Sequence, residues 1–307
     1  MNISEEGERM RRGLLIVGVL LLLSVIPLYA AAPPTVGLSL STLNNPFFVD
    51  LRDGAQAAAK KMNVNLVVVD AQNDSAREAS QIEDLIQKKV AVIAINPTDS
   101  DAIVPTIKKI NAARIPVITV DRGANGGVVA AHIASDNVAG GKMAAQYVAK
   151  RLKGKGSVVM LEGIAGTSAA RDRGKGFRDG LKAYPSIRLV AVQTADFDRA
   201  KGLSVMENIL QAQKKIDAVF AQNDEMALGA IQAIAAAKRE KEMFVVGFDA
   251  IGDALAAIKA GTMAATIAQQ PKEMGRLAVE NAVRIVKKQP VKKFTPVPLK
   301  LVTKQTM

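Results

Sequence analysis

The chain has 307 residues, 49% hydrophobic and 23% charged, which suits two globular lobes of about 100–150 residues each. With no Cys and a single His (His132), it has no means to build a disulfide, a thiol nucleophile, a cysteine metal site or a multi-histidine metal site. Its formal charge of +12 comes from basic residues mostly interleaved with acids, as in Lys238-Arg-Glu-Lys-Glu242, and eight Phe, three Tyr and no Trp are few for a surface that stacks on bases, so nucleic acid is not an expected partner.

The N-terminus reads as an export signal. Arg9, Arg11 and Arg12 precede the apolar run 14–26, and Pro27 and the small residues Ala30, Ala31 and Ala32 follow it. Basic residues, a short apolar core and small residues are the parts of a cleavable leader. The leader is placed at 1–30, so the remainder lies outside the cytoplasm, in the periplasm. An uncleaved anchor is the rival reading, but 14–32 is short for a membrane span and contains Pro27.

Further along, 35–40 is an apolar run that predicts a strand. Asn45-Pro46 then opens a helix to about 61, with Asn at the cap and Pro in the first turn. A strand over 65–70, a helix over 75–89 and a strand over 90–95 follow. Pro97 to Ser100 caps a further helix, which leads to strands over 116–120 and 128–134. His132 sits in the last of these and reads as a packed strand residue. The second half begins with a helix from Asn137 and a strand over 157–161. Thr167 and Ser168 then cap a helix to about 184. Strands are expected over 188–192, 216–221, 243–248 and 263–267, with helices over 199–213, 224–238, 252–259 and 272–288. A strand-like stretch over 294–303 closes the chain.

Near-continuous apolar strands alternating with amphipathic helices imply parallel sheets covered on both faces. The pattern also repeats. A strand ending in Asn96 and one ending in Asp121 are matched by strands ending in Asn223 and Asp249, with spacings of 25 and 26 residues. The expected fold is therefore α/β, with two similar doubly wound lobes and a cleft between them. Ligands of such sheets sit beyond the carboxyl ends of the strands.

The residues at those ends are Asn45, Phe47, Phe48, Asn96, Asp121 and Arg122 in the first half. In the second half they are Arg171, Phe197, Asn223, Asp249 and Gln269. They contain no nucleophile–base pair, no metal set and no dinucleotide glycine fingerprint, so no enzyme and no cofactor is expected. They suit a sugar, whose hydroxyls each donate and accept and whose C–H faces want aromatic rings. Taken singly, Asn96 and Asn223 also suit helix caps, Asp121 and Asp249 suit turns, and the two Phe suit a core.

Several long blocks resemble the type I periplasmic binding proteins, in the branch that binds D-ribose. They include Ser41-Thr-Leu-Asn-Asn-Pro-Phe-Phe48, Ile95-Asn-Pro-Thr-Asp-Ser-Asp101, Val117-Ile-Thr-Val-Asp-Arg122, Gly163-Ile-Ala-Gly-Thr-Ser-Ala-Ala-Arg171, Phe220-Ala-Gln-Asn-Asp-Glu-Met-Ala-Leu-Gly229 and Val245-Val-Gly-Phe-Asp249. The resemblance covers nearly all of the chain after the leader. It implies that the eleven residues above contact the sugar, with Gln269 at a three-stranded hinge. It implies an N-terminal lobe of 33–135 plus 270–297 and a C-terminal lobe of 136–269 plus 298–307. It also implies a monomer that delivers D-ribose to a membrane ABC permease with its ATPase and, in some relatives, engages a chemotaxis receptor. Allose, galactose or a cyclic autoinducer-type ligand is the alternative within the class. A sugar-responsive repressor core shares the architecture but would carry a DNA-binding helix pair where this chain has its leader.

Overall fold

The computed structural model describes residues 32–307; the predicted leader, 1–30, lies outside the described residues. The first sheet contains β1 (Thr35–Leu40), β2 (Asn65–Asp70), β3 (Val92–Ile95), β4 (Val117–Val120), β5 (Ala131–Ser135) and β11 (Phe294–Val297). They lie in the order β11-β5-β4-β3-β1-β2, with every pair parallel. The second contains β6 (Gly156–Glu162), β7 (Ile187–Thr194), β8 (Ala218–Ala221), β9 (Phe244–Asp249), β10 (Ala265–Ala268) and β12 (Lys300–Thr303). Their order, β12-β10-β9-β8-β6-β7, repeats the plan of the first sheet. Its pairs are parallel except β10–β12, which is antiparallel.

Nine helices cover the sheets among the described residues: α1 (Pro46–Met62), α2 (Ser75–Gln87), α3 (Val104–Ala112), α4 (Asn137–Arg151), α5 (Ser168–Leu181), α6 (Arg199–Ala212), α7 (Asp224–Ala236), α8 (Gly252–Ala260) and α9 (Pro271–Val286). Three connections pass from one sheet to the other, after β5, after β10 and between β11 and β12. The α9 helix returns to the first sheet and packs on α1. Each sheet has apolar clusters on both faces. Phe177 and Phe220 stack at 4.4 Å inside the second lobe, and both are completely buried. Burying a side chain of that size contributes roughly 1.5–3 kcal/mol.

Three expectations are corrected. The stretch 294–303 is two strands, one in each sheet, because Pro298 and Leu299 carry the chain across. The helix expected directly after Pro97 to Ser100 starts at Val104. Asp99 instead accepts the backbone N–H groups of Asp101 and Ala102, which closes a separate turn first. The fifth strand starts at Ala131, since Val128 is exposed and exchanges two hydrogen bonds with the Asn111 side chain. His132 does pack in its strand, with Nδ1 2.9 Å from Thr119 Oγ1 and its ring stacked on Phe294 at 5.6 Å.

Candidate functional site

A cavity with about 260 Å3 of empty volume lies where the carboxyl ends of the two sheets face each other. Nine of the eleven expected residues line it: Asn45, Phe47, Phe48, Asp121, Arg122, Phe197, Asn223, Asp249 and Gln269.

Local structure explains how each is presented. Asn45 caps α1 by accepting the Phe47 N–H at 2.9 Å, which seats Phe47 and Phe48 in the first turn. Their rings meet edge to face at 5.1 Å. Asn223 both caps α7 and lines the cavity; its Oδ1 accepts the Met226 N–H and its Nδ2 donates to the Phe197 carbonyl. Asp121, Phe197 and Asp249 all have left-handed backbones, with φ of 62°, 59° and 123°. Non-glycine residues avoid that region unless the surroundings impose it, and such strain gathers at functional sites. Gly163 makes room for one of them, because a Cβ there would stand 2.0 Å from the Phe197 ring.

Asn96 and Arg171 do not line the cavity. Asn96 is completely buried behind it. Its amide donates to Asp121 Oδ2 at 3.0 Å and to the Val120 carbonyl, and its oxygen accepts from Ser41. It is a support for Asp121, not a helix cap. Arg171 lies on the exposed side of α5, paired with Asp172 at 3.3 Å. Arg173 takes the cavity position instead, together with Ala169. Positions 169, 173, 177 and 181 form one i, i+4 row, and Phe177 and Leu181 anchor that row in the core. That spacing was the available sequence signal: two residues further along a helix is about half a turn away.

Arg173 is tightly held. Its Nε donates to Asn137 Oδ1 at 2.8 Å, and its Nη1 donates to the Gln222 carbonyl at 2.7 Å and lies 3.6 Å from Asp249 Oδ1. The guanidinium lies over the Phe248 ring, 3.9 Å from its centroid. Arg122 lies between Phe48 and Phe197, 5.2 and 5.5 Å from their centroids, and donates to the Pro97 carbonyl. Two acids and two guanidiniums thus balance within the cavity, which limits the cost of burying them. Burial still raises the Asp121 pKa and lowers that of Arg122. Burial pushes Asp249 up to about 7, against the pull of Arg173.

Three buried atoms here have no hydrogen-bond partner among the described residues: Asp121 Oδ1, Arg122 Nε and Gln269 Oε1. Asp121 Oδ2 stands 3.9 Å from Arg122 Nε, beyond hydrogen-bond reach. Buried polar atoms are normally paired, so these two acceptors and one donor are matched to hydroxyl groups. Among the described residues no cluster of His, Asp or Glu could hold a metal ion.

Glu78 on α2 braces the loop behind the site, accepting the Thr98 N–H and, at 2.8 Å, the Thr98 hydroxyl. Burial lifts its pKa from 4.5 to about 7. The folded protein therefore keeps a proton that the unfolded chain releases. This contribution to stability is complete below about pH 4.5 and disappears as pH climbs through about 7. Glu78→Gln removes the titration. Its melting temperature, relative to the unsubstituted protein, should rise between about pH 5 and about pH 8. A difference that stays flat or falls would contradict this.

The model of the periplasmic binding protein domain matches residues 36–290. The chain belongs to this family. Among periplasmic binding proteins, the ribose import binding protein of Salmonella typhimurium is 50% identical over 290 residues, covering 94% of this chain and 97% of the relative. The ribose import binding protein of Bacillus subtilis is 51% identical over 272 residues, covering 88% of each chain. A crystal structure of an ABC transporter periplasmic solute binding protein from Actinobacillus succinogenes, with bound D-allose, is 33% identical with a TM-score of 0.84. That match covers 89% of this chain and 98% of that one. The two-lobed α/β architecture is thus the one expected of a periplasmic binding protein.

Proposed function

We propose that this chain captures D-ribose between its two lobes and hands it to an ABC sugar importer, as a binding protein without catalytic activity. The observation that carries this reading is the trio of unpartnered buried atoms, Asp121 Oδ1, Arg122 Nε and Gln269 Oε1, in a cavity flanked by Phe48 and Phe197. The carboxylate and amide oxygens accept from sugar hydroxyls, the guanidinium donates to them, and the rings cover the C–H faces. The import role is supported by relatives about half identical over nearly their whole length.

The proposed ligand contacts are Asn45, Phe47, Phe48, Asp121, Arg122, Arg173, Phe197, Asn223, Asp249 and Gln269. Asn96 supports them from behind. The proposed lobes are 33–135 plus 270–297 and 136–269 plus 298–307, closing about the three connections. The sugar binds one lobe first, and the other closes over it. The proposed setting is the periplasm, reached by the 1–30 leader; no helix among the described residues is long and apolar enough to cross a membrane. The proposed working form is a monomer, with a chemotaxis receptor as a second partner.

A pentose has about ten non-hydrogen atoms, so micromolar binding needs about 0.8 kcal/mol per atom, within the ceiling of ~1.5 for very small ligands. Isothermal titration of residues 33–307, unfolded and refolded to strip bound sugar, against D-ribose, D-allose, D-galactose and D-xylose tests the reading. The expected result is saturable ribose binding at or below about micromolar, with the others far weaker. D-Allose has the next claim, given the allose-bound structural neighbour. A folded sample that ignores ribose would overturn the ligand assignment.

A further inference from the structure

Asp224, the first residue of α7, is a completely buried carboxylate that does not line the cavity and, among the described residues, pairs with no basic side chain. One oxygen accepts the Thr266 hydroxyl at 2.7 Å, and the other accepts the Ile251 backbone N–H at 3.0 Å. Thr266 Oγ1 in turn accepts the Ala250 N–H at 3.3 Å. Two consecutive peptide groups after Asp249 are therefore tied to the Asp224–Thr266 pair. Those ties span the most unusual backbone in the second lobe, with φ of 123° at Asp249 and 64° at Ala250. Neither residue is glycine, so the turn needs outside support to persist. Gly247 on β9 gives Asp224 the space to reach it, since a Cβ there would lie 2.2 Å from Asp224 Oδ1.

The strained turn has a functional address. Asp249 is its first residue, and its carboxylate accepts from Gln269 Nε2 at 2.8 Å and faces Arg173 in the cavity. We propose that Asp224 is a positioning residue, which pins the 249–251 turn in its left-handed form and thereby aims Asp249 at the ligand. This inference rests on the sugar-binding reading above. Burial raises the Asp224 pKa well above the carboxylate range, and the charge of Asp249 raises it further. The asparagine amide can keep both ties, its oxygen accepting the Ile251 N–H and its Nδ2 donating to Thr266 Oγ1, whereas a methyl group keeps neither.

The test compares Asp224→Asn, Asp224→Ala and the double variant Asp224→Ala/Ala250→Gly. For each, titration with ribose is paired with a melting temperature and with the Gln269 side-chain amide signals in a 1H–15N spectrum of the sugar-free protein. Expected results are affinity within about threefold for Asp224→Asn and a loss of about tenfold or more for Asp224→Ala. The double variant should regain most of that loss, because glycine adopts positive φ without strain. The Gln269 signals should move in Asp224→Ala and return in the double variant. A contribution to overall stability alone would lower the melting temperature without this pattern. If Asp224→Ala does not fold, Thr266→Val takes its place, with a smaller loss and the same movement of Gln269. A folded Asp224→Ala or Thr266→Val with unchanged affinity and unmoved Gln269 signals overturns the proposal, as does an unrescued double variant. If the unsubstituted protein binds none of the four sugars, the sugar reading fails, and the Gln269 signals alone decide whether Asp224 positions Asp249.

Discussion

Arg173→Ala is expected to weaken ribose binding by at least roughly 100-fold, while Arg171→Ala leaves it within about threefold. Both are arginines of α5, but their surroundings differ. Arg173 is buried and anchored to Asn137 and to the Gln222 carbonyl, with Asp249 at 3.6 Å. Removing it strands the buried Asp249 beside Gln269 and opens space against the Phe248 face. Breaking a buried pair by deleting one partner typically costs about 3–5 kcal/mol. Arg171 is solvent-exposed and touches Asp172, and an exposed pair of that kind contributes ~0–1 kcal/mol. Titrating both variants with ribose decides the matter. Equal losses would mean that the cavity as assigned is not the binding site.

The contrast also shows what the sequence could and could not disclose. Strand ends were legible, because apolar runs in both halves stop at a polar residue, and parallel sheets place that residue at the ligand edge. The caps at Asn45, Thr167 and Asn223 were legible for the same local reason. Arg171 and Arg173 both follow the cap at Thr167, so motif position alone did not separate them. Helix phase does, since Phe177 and Leu181 continue the row of Arg173. Asn96 was harder. Its role depends on Ser41 and Asp121, which lie 55 and 25 residues away and meet it only when the sheet assembles. The split of 294–303 was not legible in the local pattern, since a short apolar stretch does not reveal that its two ends pair with different sheets; only the resemblance implied a lobe boundary at 297/298.

Asp121→Ala is expected to cost ribose affinity about 2–5 kcal/mol, or roughly 30- to 4,000-fold. Three effects add in the same direction. The free acceptor Oδ1 is lost to the ligand, Asn96 Nδ2 loses one of its two acceptors, and Arg122 loses the acid that offsets its buried charge. Arg173 aggravates the last effect, because its charge already opposes that of Arg122. Asp121→Asn separates these contributions. It keeps an acceptor oxygen and tolerates the φ of 62° at this position, where alanine is strained. The asparagine variant should therefore melt above the alanine variant and bind more tightly, while remaining weaker than the native protein because Arg122 still lacks its counter-charge. Added salt should not change that order, since both groups are buried and poorly screened. Near-native ribose affinity in Asp121→Ala would remove Asp121 from the site, and the pairing of Oδ1 with a sugar hydroxyl would go with it.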